Sequence, residues 1–374
     1  MPDKLDPETK QGYIKSLITI LVIFSLYIGY LYLDDQNIAV PQPAVIGVTT
    51  STPQTPVETG LDFEVYFTTP DNHIENHLIE KINGAKSSIN LAVFEFDLDN
   101  VKNALIKAHQ RGVRVQIVYD DEHTKDDPQM TELISSGIKA IPDERSAFMH
   151  NKFFVIDSLC VWTGSFNLSV NASTKNNENA IYLCDQKLAQ NYETEFSEMF
   201  VGNFGSKSPA NTPFQLLNLF DSPSQNYFAP EDQVMDKVIR EVSRAKVSVH
   251  FMAFSFTDDD LGDALKNLQN NGVNVIGIFE SRGADTDSSE CQKLLRGGSD
   301  VRLDGNPYTF HHKVIILDGH LVIFGSFNFS QNANQSNDEN LLIIDSQNLA
   351  TSFEEEFQKR LAESFTPSGN SCSK

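Results

Sequence analysis

This chain contains one structural unit written twice, and that repetition limits its fold more than any other property. The segment GAKSSINLAVFEF, with ALIKAHQRG and VRVQIVYDD after it, returns as RAKVSVHFMAFSF, ALKNLQNNG and VNVIGIFES. Lys86 answers to Lys246 and Gly112 to Gly272, each pair 160 residues apart, whereas His150 and His311 are 161 apart; a single-residue length difference falls between. Register of this kind over a whole half is the mark of a tandem duplication.

Each copy reads as strand, helix, strand, helix, strand. SSINLAVFEF and VSVHFMAFSF are apolar runs with the branched and aromatic content of buried strands. DNVKNALIKAHQRG and TDDDLGDALKNLQNNG open on Asp or Thr, residues that cap helix N-termini, and close on Gly, which ends helices. The alternation predicts an α/β protein in which each half is a mixed β-sheet flanked by helices on both faces. The first half is expected over residues 61–202 and the second over 214–374, joined by the linker NFGSKSPANTP at 203–213. QKLAQNYETEFSEMF and NLATSFEEEFQKRLAES are matching helices near the ends of the two copies. An apolar fraction of 40% supplies a sizeable core, which excludes a disordered chain.

Ahead of the duplication, Ser16 to Leu33 read SLITILVIFSLYIGYLYL, uncharged and long enough to cross a bilayer. Lys10 and Lys15 precede it and Asp34 and Asp35 follow. The positive-inside rule then predicts a single-pass membrane anchor over 16–33, a short cytoplasmic tail over 1–15, and everything downstream on the extracytoplasmic side. A signal peptide would end in a small-x-small pattern, which GYLYLDD lacks, and a core helix would show a polar face, which this segment lacks. Residues 34–60 include a Pro- and Thr-rich stretch without periodicity and read as a tether.

Lys and Arg number 29 against 51 Asp and Glu, a formal net charge of -22. That balance works against avid non-specific binding of nucleic acid or anionic membrane, although a basic pocket can sit in an acidic surface. None of Cys160, Cys184, Cys291 and Cys372 lies in a zinc-like spacing; Cys160 and Cys184 could pair in an exported domain, but buried free thiols are the favoured expectation. HIENH at 73–77 lacks the order of a zinc-binding helix and a third ligand. No metal site and no cofactor are expected.

The chemistry concentrates in MHNKFFVIDSLCVWTGSFNLS followed by NNEN, and in FHHKVIILDGHLVIFGSFNFS followed by NDEN. His150, Lys152 and Asp157 answer to His311, Lys313 and Asp318. Ser165, Asn167 and Glu178 answer to Ser326, Asn328 and Glu339, and histidine and glutamate are 28 residues apart in both copies. Strand alternation puts His150 and Lys152 on one face, where an imidazole beside an ammonium makes a phosphate-binding pair with a nucleophile at hand. His312, between His311 and Lys313, should face the other way.

HxKxxxxD followed by GSxN and NxE resembles the phospholipase D superfamily, with both copies complete and the likeness running from about residue 61 to the C-terminus. The resemblance implies a phosphodiesterase whose two halves meet about a pseudo-twofold, with the active site at their interface. One histidine would attack phosphorus to form a covalent phosphohistidine, His150 being favoured, while the other protonates the leaving oxygen and then activates water or an alcohol. Lys152, Lys313, Ser165, Asn167, Ser326 and Asn328 would bind phosphate oxygens, and Glu178 and Glu339 would orient the histidine rings. Asp157 and Asp318 complete the motif and are expected to tie down the strand rather than to move protons.

The expected substrate is a phospholipid in the membrane, hydrolysed or passed to an alcohol by a monomeric active unit. A tethered nuclease is the second reading, a synthase resembling cardiolipin synthase the third, and a catalytically dead scaffold is disfavoured because neither motif has degenerated. Glu95 in AVFEF faces Ser255 in MAFSF across the repeat, so the two walls of the cleft differ if these side chains point into it.

Overall fold

The computed structural model describes residues 63–68, 73–369 and 371–373. The anchor expected over 16–33 and the tether lie outside the described residues, and among the described residues no helix is long and apolar enough to cross a membrane.

The first half runs β1 (Phe63–Phe67), α1 (Ile74–Gly84), β2 (Ser88–Val93), α2 (Asp99–Gln110), β3 (Arg114–Tyr119), α3 (Asp121–Thr124), α4 (Pro128–Ser135), β4 (Lys139–Pro142), β5 (Phe153–Ile156), β6 (Cys160–Gly164), α5 (Val170–Thr174), β7 (Asn179–Cys184) and α6 (Gln186–Phe200). After a 3-10 turn at Gly205–Lys207 the second half follows: β8 (Leu216–Leu219), β9 (Ser222–Ala229), α7 (Val234–Val242), β10 (Ser248–Ala253), α8 (Asp259–Asn270), β11 (Asn274–Phe279), α9 (Cys291–Arg296), β12 (Asp300–Leu303), β13 (Lys313–Leu317), β14 (Leu321–Gly325), α10 (Gln331–Gln335), β15 (Glu339–Asp345) and α11 (Gln347–Glu363).

The sheets have the same strand order, β4-β3-β2-β5-β6-β7-β1 and β12-β11-β10-β13-β14-β15-β9, with β8 added at the edge of the second. Within each, the β2–β3–β4 and β10–β11–β12 ladders are parallel and the rest antiparallel, so the sheets are mixed as expected. Alternation in the motif strands divides the core into layers. Phe153 and Val155 of β5, with Val314 and Ile316 of β13, face a central core shared by both sheets and filled by α6 and α11. Phe154 and Ile156 face an outer layer under α1 and α2, while Ile315 and Leu317 face the one under α7 and α8. A motif strand buried on both faces has little freedom to shift, and both cleft walls inherit that rigidity.

Two local expectations are corrected. The helix DNVKNALIKAHQ starts after Leu98, whose apolar side chain cannot cap it, so Asp99 lies in the first turn rather than at the cap; in its counterpart the cap is Asp258 rather than the opening Thr257. The cysteines are not free: Cys160 is bonded to Cys184 and Cys291 to Cys372. Cys160 and Cys184 lie directly opposite on β6 and β7, a register that their separation of 24 residues does not reveal.

Candidate active site

Both histidines sit just ahead of a buried strand rather than within it. Lys152 immediately precedes β5, and Lys313 is the first residue of β13. The approach segments are fixed by the opposite half: the His150 N–H donates to the Asp338 carbonyl and the His311 N–H to the Asn177 carbonyl, at 3.0 Å each. Asp120 and Glu280 brace the preceding residues by accepting from the Met149 and Phe310 N–H groups. Alternation still holds. Asn151 turns away toward Glu195 and Asn340, and His312 toward Asn179 and Glu356, so His312 does not join the catalytic pair.

The glutamates are exchanged between the halves. Glu339 holds His150, its two oxygens 2.9 and 2.7 Å from Nδ1, and Glu178 holds His311 at 2.8 Å. A carboxylate is an acceptor only, so Nδ1 carries the proton and Nε2 keeps its lone pair. Each glutamate is itself fixed, Glu178 by Ser165 at 2.7 Å and Asn176 at 3.3 Å, Glu339 by Ser326 at 2.7 Å and Asn337 at 3.1 Å. Gly164 and Gly325 permit this packing: a Cβ at either would collide with the Asn179 or Asn340 carbonyl.

Lys152 Nζ donates to the His150 carbonyl at 2.7 Å and lies 4.8 Å from the Phe94 ring centre; Lys313 repeats this with the His311 carbonyl at 2.9 Å and Phe254 at 4.8 Å. The same two phenylalanines present themselves edge-to-face to the histidines. All four of these basic side chains, His150, Lys152, His311 and Lys313, are buried. Burial, with the neighbouring lysines, holds both imidazoles well below the usual histidine range. Burial also lowers Lys152 to about 8 and Lys313 to about 7, against the pull of the glutamates, and raises Glu178 and Glu339 to about 7, against the lysines and their hydrogen-bond donors. These surroundings favour neutral imidazoles, either of which can then serve as a nucleophile.

His150 and His311 line a single cleft of about 790 Å³, with Phe94, Glu95, Phe148 and Asn167 on one side and Phe254, Ser255, Arg282 and Asn328 on the other. Asn167 and Asn328 line the cleft, where their Nδ2 groups are the donors that a phosphate oxygen could accept from; their buried Oδ1 atoms are acceptors without a partner among the described residues. Glu95 faces the cleft, so the walls do differ.

One further expectation is corrected. Ser165 and Ser326 do not face the cleft; their hydroxyls are fully buried, donate to the glutamates and accept from the Asn179 and Asn340 N–H groups. Asp157 and Asp318 are also away from the cleft. Asp157 accepts from the N–H groups of Lys86, Ser87 and Ser88, and Asp318 from those of Lys246, Val247 and Ser248. Partial burial works to raise their pKa, but these bonds outweigh it and leave both below the ordinary aspartate range. Phe94, Phe254, Asp120 and Glu280 went unrecognised in the sequence; for the phenylalanines the repeat in AVFEF and MAFSF was the available signal. Among the described residues the one grouping of three metal-capable side chains is Glu195, Glu198 and Glu231, none of which lines the cleft.

A family model described as cardiolipin synthase, PLD-like domain, matches residues 78–200 and again 238–361. The phospholipase D of Rickettsia felis is 31% identical over 160 residues, covering 43% of this chain and 80% of that protein. The mitochondrial cardiolipin hydrolase of Chlamydomonas reinhardtii is 32% identical over 125 residues, 33% of this chain, and only 56% of its own length is spanned. The crystal structure of phosphatidylserine synthase from Haemophilus influenzae shares the fold, with a TM-score of 0.64 at 14% identity over 83% of this chain and 89% of that one. Twice matched by one family model and carrying both motif copies around one cleft, the chain belongs to the phospholipase D superfamily.

Proposed function

We propose that this protein is a phosphoric diester hydrolase of the phospholipase D type that acts on phospholipid head groups. The observation that carries the reading is the pair of buried imidazoles on one cleft, each with Nδ1 held by a glutamate of the opposite half. Nε2 of one histidine attacks phosphorus as the bond to the leaving oxygen breaks, giving a phosphohistidine. The second imidazole, its protonated form favoured once the phosphodiester anion is bound, donates to that oxygen. It then takes a proton from water or an alcohol, which displaces the histidine from phosphorus. Acid–base help of this kind is typically worth ~10²- to 10⁴-fold. The buried lysines and the Asn167 and Asn328 amides stabilise the charge on the non-bridging oxygens.

We assign the nucleophile to His150, whose Nδ1 has both Glu339 oxygens within hydrogen-bond distance where His311 has one Glu178 oxygen. Lipid is preferred over nucleic acid because of the acidic balance and the relatives named for phospholipase D and cardiolipin hydrolysis. The uncharged run at 16–33 would tether the domain at its substrate's surface, on the extracytoplasmic side. Two disulfides support that placement, since such bonds persist in oxidising compartments.

The test uses the purified protein in excess chelator with mixed phospholipid vesicles and ethanol, and separately with single-stranded DNA and RNA. Head-group release with phosphatidylethanol formation, lost in His311→Asn, is the expected result. Cleaved nucleic acid with intact lipid would move the protein to the nuclease reading, and activity that depends on added metal would overturn the mechanism.

A further inference from the structure

The pseudo-twofold relates two crevices at the ends of the cleft, and they are filled differently. Beside His150, Arg145 donates to the Asp338 carboxylate and the Ser336 carbonyl and covers the Phe204 ring at 5.7 Å. Gly205 packs against Arg145 and donates its N–H to Asp338 at 2.7 Å, so the linker between the halves seals this end. The counterpart beside His311 is an open crevice of about 380 Å³, lined by Lys175, Asn176, Asn306, Tyr308, Lys359 and Arg360.

At an offset of 161 residues, Asn306 stands for Arg145 and Asn177 for Asp338, so a neutral amide pair, Asn306 Nδ2 to Asn177 Oδ1 at 2.8 Å, replaces the sealing ion pair. Lys359 stands for Glu198, Arg360 for Met199 and Lys175 for Ser336. The charge that lines this end is thus inverted. Lys359 forms no ion pair among the described residues. Lys175 Nζ donates to the Asn171 amide oxygen at 3.0 Å and lies 5.3 Å from the Tyr308 ring centre. Glu363 is the one carboxylate on the lining, and Arg360 binds it at 2.8 Å. Such a cluster is a local exception in a chain of net charge -22. Asn176 lines both the crevice and the catalytic cleft, so the two cavities adjoin there.

We propose that this crevice is a second anion subsite, which holds a further phosphate of the substrate while the scissile diester lies between His150 and His311. The inference rests on the phosphodiesterase reading and narrows the substrate to molecules with a second phosphate near the first. A diphosphatidyl lipid and a nucleic-acid strand share that chemistry. Lys175 and Lys359 would meet it with charge-assisted hydrogen bonds, and the sealed opposite end would impose one binding direction.

The experiment compares the full chain with a Lys175→Ala/Lys359→Ala double variant. Bis(p-nitrophenyl) phosphate reports single-phosphate turnover. Cardiolipin against phosphatidylglycerol in matched micelles, and a short oligodeoxynucleotide against a dinucleoside monophosphate, report the effect of the second phosphate. In one pair the preference for the longer substrate should drop at least about tenfold through KM, the loss of two charge-assisted contacts, and that pair identifies the source. A Lys175→Arg/Lys359→Arg variant should keep the preference. An unchanged preference in both pairs, or an equal loss on short and long substrates, would overturn the subsite. Wild-type protein that cleaves none of these would instead sink the phosphodiesterase reading. Titration with inorganic pyrophosphate needs no turnover and keeps the subsite testable in that event: binding about tenfold weaker to the alanine variant is expected, and equal binding refutes it.

Discussion

Glu195 and Glu356 occupy the same place in the two halves, 161 residues apart on α6 and α11, yet their surroundings are opposite in charge. Glu356 lies between His312 and Arg360, at 3.4 and 3.1 Å. Glu195 receives the Asn151 amide and otherwise neighbours two more carboxylates, Glu198 and Glu231. Burial first, and then those like charges, push Glu195 well above the ordinary glutamate range, and Glu231 rises to about 7. Around the two histidines the halves repeat the same contacts, from Lys–carbonyl to Ser–Glu to Glu–His. The duplication has kept its symmetry around the paired histidines and has lost it one layer out, on α6 and α11.

The sharpest way to break the inner symmetry is to remove the histidines one at a time. His150→Asn and His311→Asn should each lower kcat/KM by ~10²- to 10⁴-fold, but only His311→Asn should still form an acid-trappable phosphoprotein from a p-nitrophenyl ester. Trapping in His150→Asn alone would reverse the assigned roles.

Next in size are the glutamates. Glu339→Gln and Glu178→Gln should each cost about tenfold to a hundredfold, the range for losing a hydrogen bond to a charged group. Both carboxyls sit near 7, so wild-type activity should decline as pH falls below about 7, where protonation removes the acceptor that fixes each ring. A Gln variant whose pH–rate profile keeps that acid limb would show that some other group controls it.

Asp157→Asn and Asp318→Asn test the symmetry of the scaffold. Each should lower stability by about 1–2 kcal/mol, as the loss of a helix cap does, with little change in KM. Both pKa values are depressed in the folded protein, so the stabilisation is full above the ordinary aspartate pKa and is lost as pH falls through the lowered value. Denaturant midpoints that differ widely between the two variants would contradict equivalent roles. The smallest effect is expected from Glu95→Ser, which makes the two walls alike. Glu95 stabilises the charged form of His311, so its removal should lower that imidazolium pKa and change kcat by under about fivefold. A larger change would promote Glu95 from wall to catalytic participant.

The duplication, the sheet-forming runs and the motif set were legible because each depends on local spacing: apolar runs, Gly112 and Gly272 at φ of 93° and 86°, and histidine-to-glutamate intervals preserved in both copies. What stayed hidden depends on how the halves dock. That Glu339 serves His150 rather than His311 cannot be read from an interval that is the same within each half. The duty of Ser165 and Ser326 is hidden too, because a hydroxyl beside an asparagine looks alike in sequence whether it meets substrate or a buried carboxylate. The pairing of Cys160 with Cys184 followed from strand register, and β8 gave too short a pattern, LLNL, to stand out.

The exchange of glutamates also bears on how the protein is made. Synthesis runs from the N-terminus, so the first half emerges with His150, Lys152 and Asn167 while Glu339, nearly two hundred residues later, is still untranslated. Until that strand is threaded beside Met149, the His150 ring has no carboxylate to set its tautomer and no opposing imidazole. Within one chain, the first motif therefore lacks both its glutamate and the opposing imidazole until the two halves have closed on each other.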